Sequence, residues 1–173
     1  DLECLPDADA YTTRKWLRVA LAAEMSGLLK AAIDSTVEHL TLRKQFGRPL
    51  GTFQALRHRM AECAVLAGGV RWLMLKAAAT ADDGDAALAA SHAQESATRV
   101  AYEVHQMLGA MGMTLEHPLH LWTYRLKALL SELGGRFGVP VFVDNDANCA
   151  ALAESRIVGE DDLVMLTLGT GVG

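Results

Sequence analysis

From Tyr11 to about Lys44, apolar residues return every three or four positions (Trp16, Val19, Ala20, Ala23, Gly27, Ala31, Val37, Leu40) with no proline between them. Side chains at that period share one face of an α-helix, so the spacing predicts a long amphipathic first helix. Arg48-Pro49-Leu50-Gly51 closes it, because a proline ring crowds the preceding residue out of helical backbone. Thr52 has the hydroxyl of an N-cap, and Phe53, Leu56, Met60, Cys63, Leu66, Val70 and Leu73 carry the same period to near Ala81. A second helix follows. Asp82-Asp83-Gly84 reads as a turn, Asp85 as the cap of a third helix reaching Met111, and Gly112 to Glu116 as a loop. In "HPLHLWTYRLKALLSELGG", Pro118 suits a first helical turn and Gly134 the position just past a helix end. Four helices on short turns predict a mainly α fold, an antiparallel four-helix bundle.

The pattern then changes. Val139-Pro140-Val141-Phe142-Val143 is a short apolar run rich in β-branched residues, suited to a buried strand. "DNDANCAALAES" starts a helix at Asn145 or Asp146, and "DLVMLTLGTGVG" is a second strand entering a loop with Gly169, Gly171 and Gly173. Residues 1–135 are therefore expected to form the helical domain, and residues 136–173 a short strand-helix-strand α/β fragment. No Pro/Ser-rich linker joins them.

Composition narrows the function classes. A chain of 173 residues with 51% hydrophobic and 21% charged residues buries a real core. A formal net charge of −5 offers no extended basic surface, so nucleic acid is not an expected partner. No uninterrupted apolar run reaches the roughly 18 to 20 residues of a membrane span, and the start, Asp1-Leu2-Glu3, is acidic where a secretory signal is basic. The expectation is a cytoplasmic protein with no membrane partner. Cys4, Cys63 and Cys149 are far apart, with no histidine spaced to complete a zinc site. They read as reduced thiols, and no metal site is expected.

Chemistry concentrates in the turns. "RKQFGRPLGTFQALRHRMAE" sets Arg43 at a helix end and Phe53-Gln54 at the start of the next helix. "QMLGAMGMTLEHPLH" sets Gln106 three residues before a glycine-containing helix end. Arginine, glutamine and glycine-exposed backbone amides are groups that hold a pyrophosphate and an adenine. The same residues also serve as an ion-pair partner, helix caps and turn formers, and spacing alone leaves both readings open.

The stretch from about Thr13 to Gly135 resembles the C-terminal helical domain of acyl-CoA dehydrogenases, through "RKQFGRPLGTFQ" and "QMLGAMGMTLEHPLH" in that order. The resemblance implies an FAD-binding and oligomerisation domain. Arg43, Lys44, Gln45, Phe53 and Gln54, with Gln106, Met107, Leu108, Gly109 and Ala110, match the positions that hold FAD, often that of a neighbouring subunit. A homo- or hetero-oligomer through the bundle is implied, as is an acyl-CoA substrate bound through upstream domains that this sequence lacks. Ala110 departs from the pattern, standing where a second glycine is common.

The family's reaction removes a proton α to a thioester carbonyl and passes the β hydride to the flavin, using a carboxylate made basic by a dry site. By register that carboxylate falls near Gly134 or near Leu17, and neither is acidic. Glu132 and Glu24 stand close by, but one residue along a helix turns a side chain by roughly 100°. Glu132 is the nearest catalytic candidate, both are preferred as surface or structural carboxylates, and the chain is not expected to be catalytic alone.

Residues 136–173 resemble the ROK family of sugar kinases, glucokinase-like proteins of the actin-like ATPase type, through "NDAN" before a helix and "GTGVG" after the next strand. That likeness implies Asp146 as the base, Asn145 on the sugar, and Gly169, Thr170 and Gly171 near the phosphates of ATP. The kinases' N-terminal phosphate loop and their zinc-binding cysteines are missing, so ATP and Mg belong only to a complete kinase. A third reading is an inactive composite of the two families joined near Gly135-Arg136.

Overall fold

The computed structural model describes residues 10–137, with side chains described up to residue 131. Within this range the order is α1 (Ala10–Leu42), a hairpin of β1 (Lys44–Gln45) and β2 (Arg48–Pro49), a 3₁₀ turn (Leu50–Thr52), α2 (Gln54–Thr80), α3 (Asp83–Leu108), a second 3₁₀ turn (Gly109–Met113), and α4 (Leu119–Phe137). The four expected helices are present. The strand-helix-strand reading of 136–173 falls almost wholly outside the described residues.

The first helix corrects the expected register. Its buried stripe is Val19, Leu21, Ala22, Met25, Leu29, Ala32, Ile33, Thr36 and Leu40, whereas Trp16, Ala20, Ala23, Gly27 and Val37 are exposed. The sequence misleads here because small and apolar residues also lie among the charges on the outer side of α1, so its period marks a helix without saying which face is covered. Packing decides that: α2, α3 and α4 all lie against α1. Thr36 satisfies its buried hydroxyl by donating to the Ala32 carbonyl at 2.7 Å.

The caps also move. Thr52 does not cap α2, because its hydroxyl donates to the Pro49 carbonyl within the 3₁₀ turn, and Phe53 precedes the helix without a side-chain cap. Asp82, not Asp85, caps α3, accepting the Asp85 amide at 2.9 Å, so Asp83 is already helical. Asp85 instead accepts from Lys76 and Thr80 at 2.6 and 2.8 Å, tying the end of α2 to the start of α3. The third helix stops at Leu108 rather than Met111, and α4 runs through Gly134 and Gly135 to Phe137 rather than ending at Gly134.

Helix α3 lies against α1 and α2 along Ala86, Ala89, Ala90, Ala93, Ser96, Ala97, Val100 and Val104. Small side chains let the neighbouring backbones come close. On α2, Gly69 meets His92 so tightly that an added Cβ would stand 2.6 Å from His92 Nε2. Leu119, Thr123, Leu126, Leu129 and Leu130 face inward from α4. Ion pairs fix the directions of the helices: Arg18 of α1 to Asp83 of α3 at 3.0 Å, and Arg125 of α4 to Glu24 of α1 at 2.6 and 3.1 Å.

Helix α2 is apolar on two faces. Cys63, Val70 and Ala77 are buried, while Ala61, Val65, Trp72, Leu75 and Ala79 form an outward stripe that leaves Val65 74% and Trp72 71% exposed. By length and composition alone, α2 is the one helix among the described residues long and apolar enough to cross a bilayer.

Candidate functional site

Alternating helix directions gather the expected site residues. The turn from α1 to α2 carries Arg43, Lys44, Gln45, Phe53 and Gln54, and the turn from α3 to α4 follows Gln106 to Ala110. In an up-down-up-down bundle both turns lie at the same end. The contact of His117, just before α4, with Ser35 and His39 of α1 confirms this placement.

The first turn is a tight hairpin. Lys44 pairs with Pro49 and Gln45 with Arg48, and the Leu50 amide donates to the Arg43 carbonyl at 2.8 Å. A two-residue loop matching the strand twist needs positive φ at both central positions, which are Phe46 at +54° and Gly47 at +77°. Glycine takes that conformation freely, whereas phenylalanine does so at a cost of about 1 kcal/mol or more. Phe46 is nevertheless 88% exposed. Its ring is held edge-on against Phe53 at 6.1 Å, and Arg48 lies over the Phe53 ring at 4.1 Å. Strained backbone of this kind collects at ligand clamps and switch regions in proteins generally. Phe46 is absent from the expected site, although the "FG" pair between two short extended runs is a hairpin signal.

Charge completes this end of the bundle. Arg43, Lys44, Arg48 and Arg57 are exposed, and none has a carboxylate within salt-bridge distance among the described residues. Gln54 reaches His58 at 3.4 Å. The Arg43 side chain lines an open cleft of about 460 Å³ with Ser35, Glu38, His39, Leu42, His117 and Pro118.

At the second turn Gln106, Gly109 and Ala110 are exposed, whereas Met107 and Leu108 are buried, so these two present only backbone to a ligand. Gly109 ends α3 at φ +57°, a conformation that a side chain would strain. Beneath it, His105 Nε2 and Thr123 Oγ1 are 3.1 Å apart. The Thr123 hydroxyl also lies 3.2 Å from the Leu119 carbonyl, and the other ring nitrogen, Nδ1, lies beside Gly112. That Nδ1 is buried without a hydrogen-bond partner among the described residues. Burial lowers the His105 pKa; the Gly112 backbone acts in the opposite sense but too weakly to reverse it.

Of the carboxylates, Glu24 is held by Arg125, which fits a structural role. Glu132 falls on α4 where the backbone alone is described. Asn145, Asp146, Gly169, Thr170 and Gly171 lie outside the described residues. Cys63 is a free, buried thiol, pushed up to about 11 chiefly by burial and then by Glu103. It is therefore unreactive at neutral pH.

The fold and these two turns are those of a dehydrogenase C-terminal domain. Residues 9–135 match the family described as "Acyl-CoA dehydrogenase, C-terminal domain", and the chain belongs to it. It is 38% identical over 114 residues to acyl-CoA dehydrogenase IpdE2 of Mycolicibacterium smegmatis, a match covering 66% of this chain and 37% of that protein. The structure of butyryl-CoA dehydrogenase from Megasphaera elsdenii superposes with a TM-score of 0.65 at 32% identity, over 69% of this chain and 33% of that one. A chain of the ChsE4-ChsE5 complex from Mycobacterium tuberculosis superposes with a TM-score of 0.65 at 27% identity, over 84% of this chain and 38% of that one. The chain thus spans about a third of the length of these relatives.

Proposed function

We propose that this bundle is the flavin-holding and subunit-contact domain of an acyl-CoA dehydrogenase, with the turn end of the bundle as the FAD surface. The observation that carries the reading is the group of exposed cations, Arg43, Lys44, Arg48 and Arg57, with no carboxylate partner among the described residues, near an exposed ring at Phe46, in a chain whose net charge is −5. This donor set fits a dinucleotide: guanidinium and ammonium groups suit a pyrophosphate, and Phe46 suits the face of a flat heterocycle. Gln106 and the backbone at Gly109 and Ala110 supply further polar contacts from the second turn. Ala110, in place of a glycine, carries its methyl on an exposed position, where it has room.

When bound, FAD supplies the acceptor for the substrate's β hydride. This chain's residues bind and orient it, and proton abstraction from the acyl-CoA falls to residues outside the described bundle. The outward stripe of α2, with Val65 and Trp72, supports the subunit contact, because a contiguous apolar face of this kind is the usual mark of a protein interface. The kinase reading of residues 136–173 rests on its sequence motifs alone, and phosphoryl transfer from ATP is not part of the function proposed.

Titration with FAD, followed by gel filtration with visible absorbance of the protein peak, tests the reading. Flavin is expected to travel with the protein, and Arg43→Ala to weaken its binding about tenfold, the loss of one charge-assisted contact. A protein peak that stays colourless at saturating FAD counts against the cofactor assignment. In the same column, Trp72→Glu is expected to move the oligomer toward monomer, and an unchanged elution volume would place the subunit contact elsewhere.

A further inference from the structure

At the turn end of the bundle, three histidines form a chain that the flavin reading does not use. The amide of Leu119, the first residue of α4, donates to His117 Nδ1 at 3.2 Å. A ring nitrogen accepts a hydrogen bond only when it carries no proton, so neutral His117 has its hydrogen on Nε2. That nitrogen faces Ser35 Oγ of α1 at 3.5 Å. His120 Nδ1 in turn donates to the His117 carbonyl at 2.9 Å, and the His39 ring stands edge-on to the His117 ring at 5.7 Å and 89°. His117 thus does two jobs: it satisfies one of the orphan amides at the start of α4, and it packs that helix start against the last turns of α1.

We infer that His117 is a proton-sensitive cap, which holds the start of α4 to α1 when neutral and releases it when protonated. The only nitrogen of the neutral ring free to take a proton is Nδ1, so the incoming proton displaces the Leu119 amide. The imidazolium would then lie at the positive end of the α4 dipole, with His120 of α4 opposing it and Glu38 of α1 favouring it, while His39 of α1 and Arg43, just past the end of α1, line the same cleft. Ser35, Pro118 and the exposed neighbour Glu116 complete its surroundings.

The titration has a definite sign. His117 and His39 both have pKa values below the ordinary 6.5, each first because of burial. The folded state therefore binds these protons less tightly than the unfolded chain, and the stability tied to the neutral rings is complete above pH 6.5 and lost as pH falls through the lowered values. Release at this point loosens the segment that lines the cleft beside Arg43, which gives the bundle end a pH-dependent shape. The cap geometry stands on its own, so failure of FAD binding would leave it intact.

Long-range ¹H–¹⁵N spectra of the full chain test the inference directly. At pH 8 the His117 ring is expected as the Nε2–H tautomer. Between pH 8 and pH 5 the protection factor of the Leu119 amide is expected to fall about fivefold, the size of one helix cap. His117→Asn keeps a cap acceptor that does not titrate, so its Leu119 protection should be flat across that range. His120→Gln removes the ring whose charge opposes protonation of His117 and should raise the His117 midpoint. An Nδ1–H tautomer in the wild-type protein at pH 8 would overturn the proposal without any variant, and so would a pH-dependent loss of protection that persists in His117→Asn.

Discussion

Leu29→Ala is expected to destabilise the bundle by about 2 to 5 kcal/mol, while Val37→Ala, on the same helix, should change stability by less than about 0.5 kcal/mol. Leu29 is fully buried on the face of α1 that packs against the other helices, and Val37 is exposed. Removing Leu29 therefore forfeits its transfer free energy and leaves a cavity that its neighbours cannot fill. Alanine-rich α3 has few large side chains with which to collapse into the gap, which favours the upper part of the range. Urea midpoints read both changes, and at this chain length the larger corresponds to a fall in Tm of very roughly 5 to 15 °C. Equal effects of the two substitutions would mean that α1 presents a different face to the core.

The second large effect is electrostatic. Glu103 on α3 has a side chain only 7% exposed, held by Arg59 of α2 at 2.5 Å and by Arg99 of its own helix at 3.0 Å. The two arginine side chains are 38% and 59% exposed, so water reaches the cations but not the carboxylate. Replacing both arginines with methionine strands a buried charge, and the expected loss is about 3 kcal/mol or more at neutral pH. Glu103→Gln, which removes the charge and leaves the arginines to water, should cost about 1 kcal/mol. Denaturant unfolding of the two variants reads the difference. The account fails if Glu103→Gln costs as much as the double substitution.

How far the sequence discloses the molecule depends on what each residue must satisfy. Helix number and order follow from the apolar period, and the turns fall within a few residues of Pro49, Asp82 and Gly112, since these are local demands of the backbone. The buried face of α1 does not, because Trp16, Ala20, Ala23 and Val37 fit a helical stripe as well as Met25 and Leu29 do, and only the placement of three neighbouring helices chooses between them. The caps fail for a related reason. Thr52, Asp82 and Asp85 all have the chemistry of a cap, and their roles are divided by where the 3₁₀ turn and the Lys76 side chain happen to fall. At the site, Arg43 and Gln106 are legible as polar groups at helix ends, yet His117 and Phe46 are not. A histidine becomes a cap only through the amide it meets, and the exposure of Phe46 is set by a backbone angle that its own residue type disfavours.

That last angle separates two pressures on the same few residues. An Asn-Gly pair would close the hairpin between Gln45 and Arg48 more readily than Phe46-Gly47 does, and it would also withdraw an oily ring from water. Folding gains from phenylalanine at this point only its edge contact with Phe53. On the flavin reading proposed above, the tip of the hairpin is thus the place where the requirements of the isolated chain and those of ligand binding diverge, and a redesign aimed only at thermal robustness would be drawn first to Phe46.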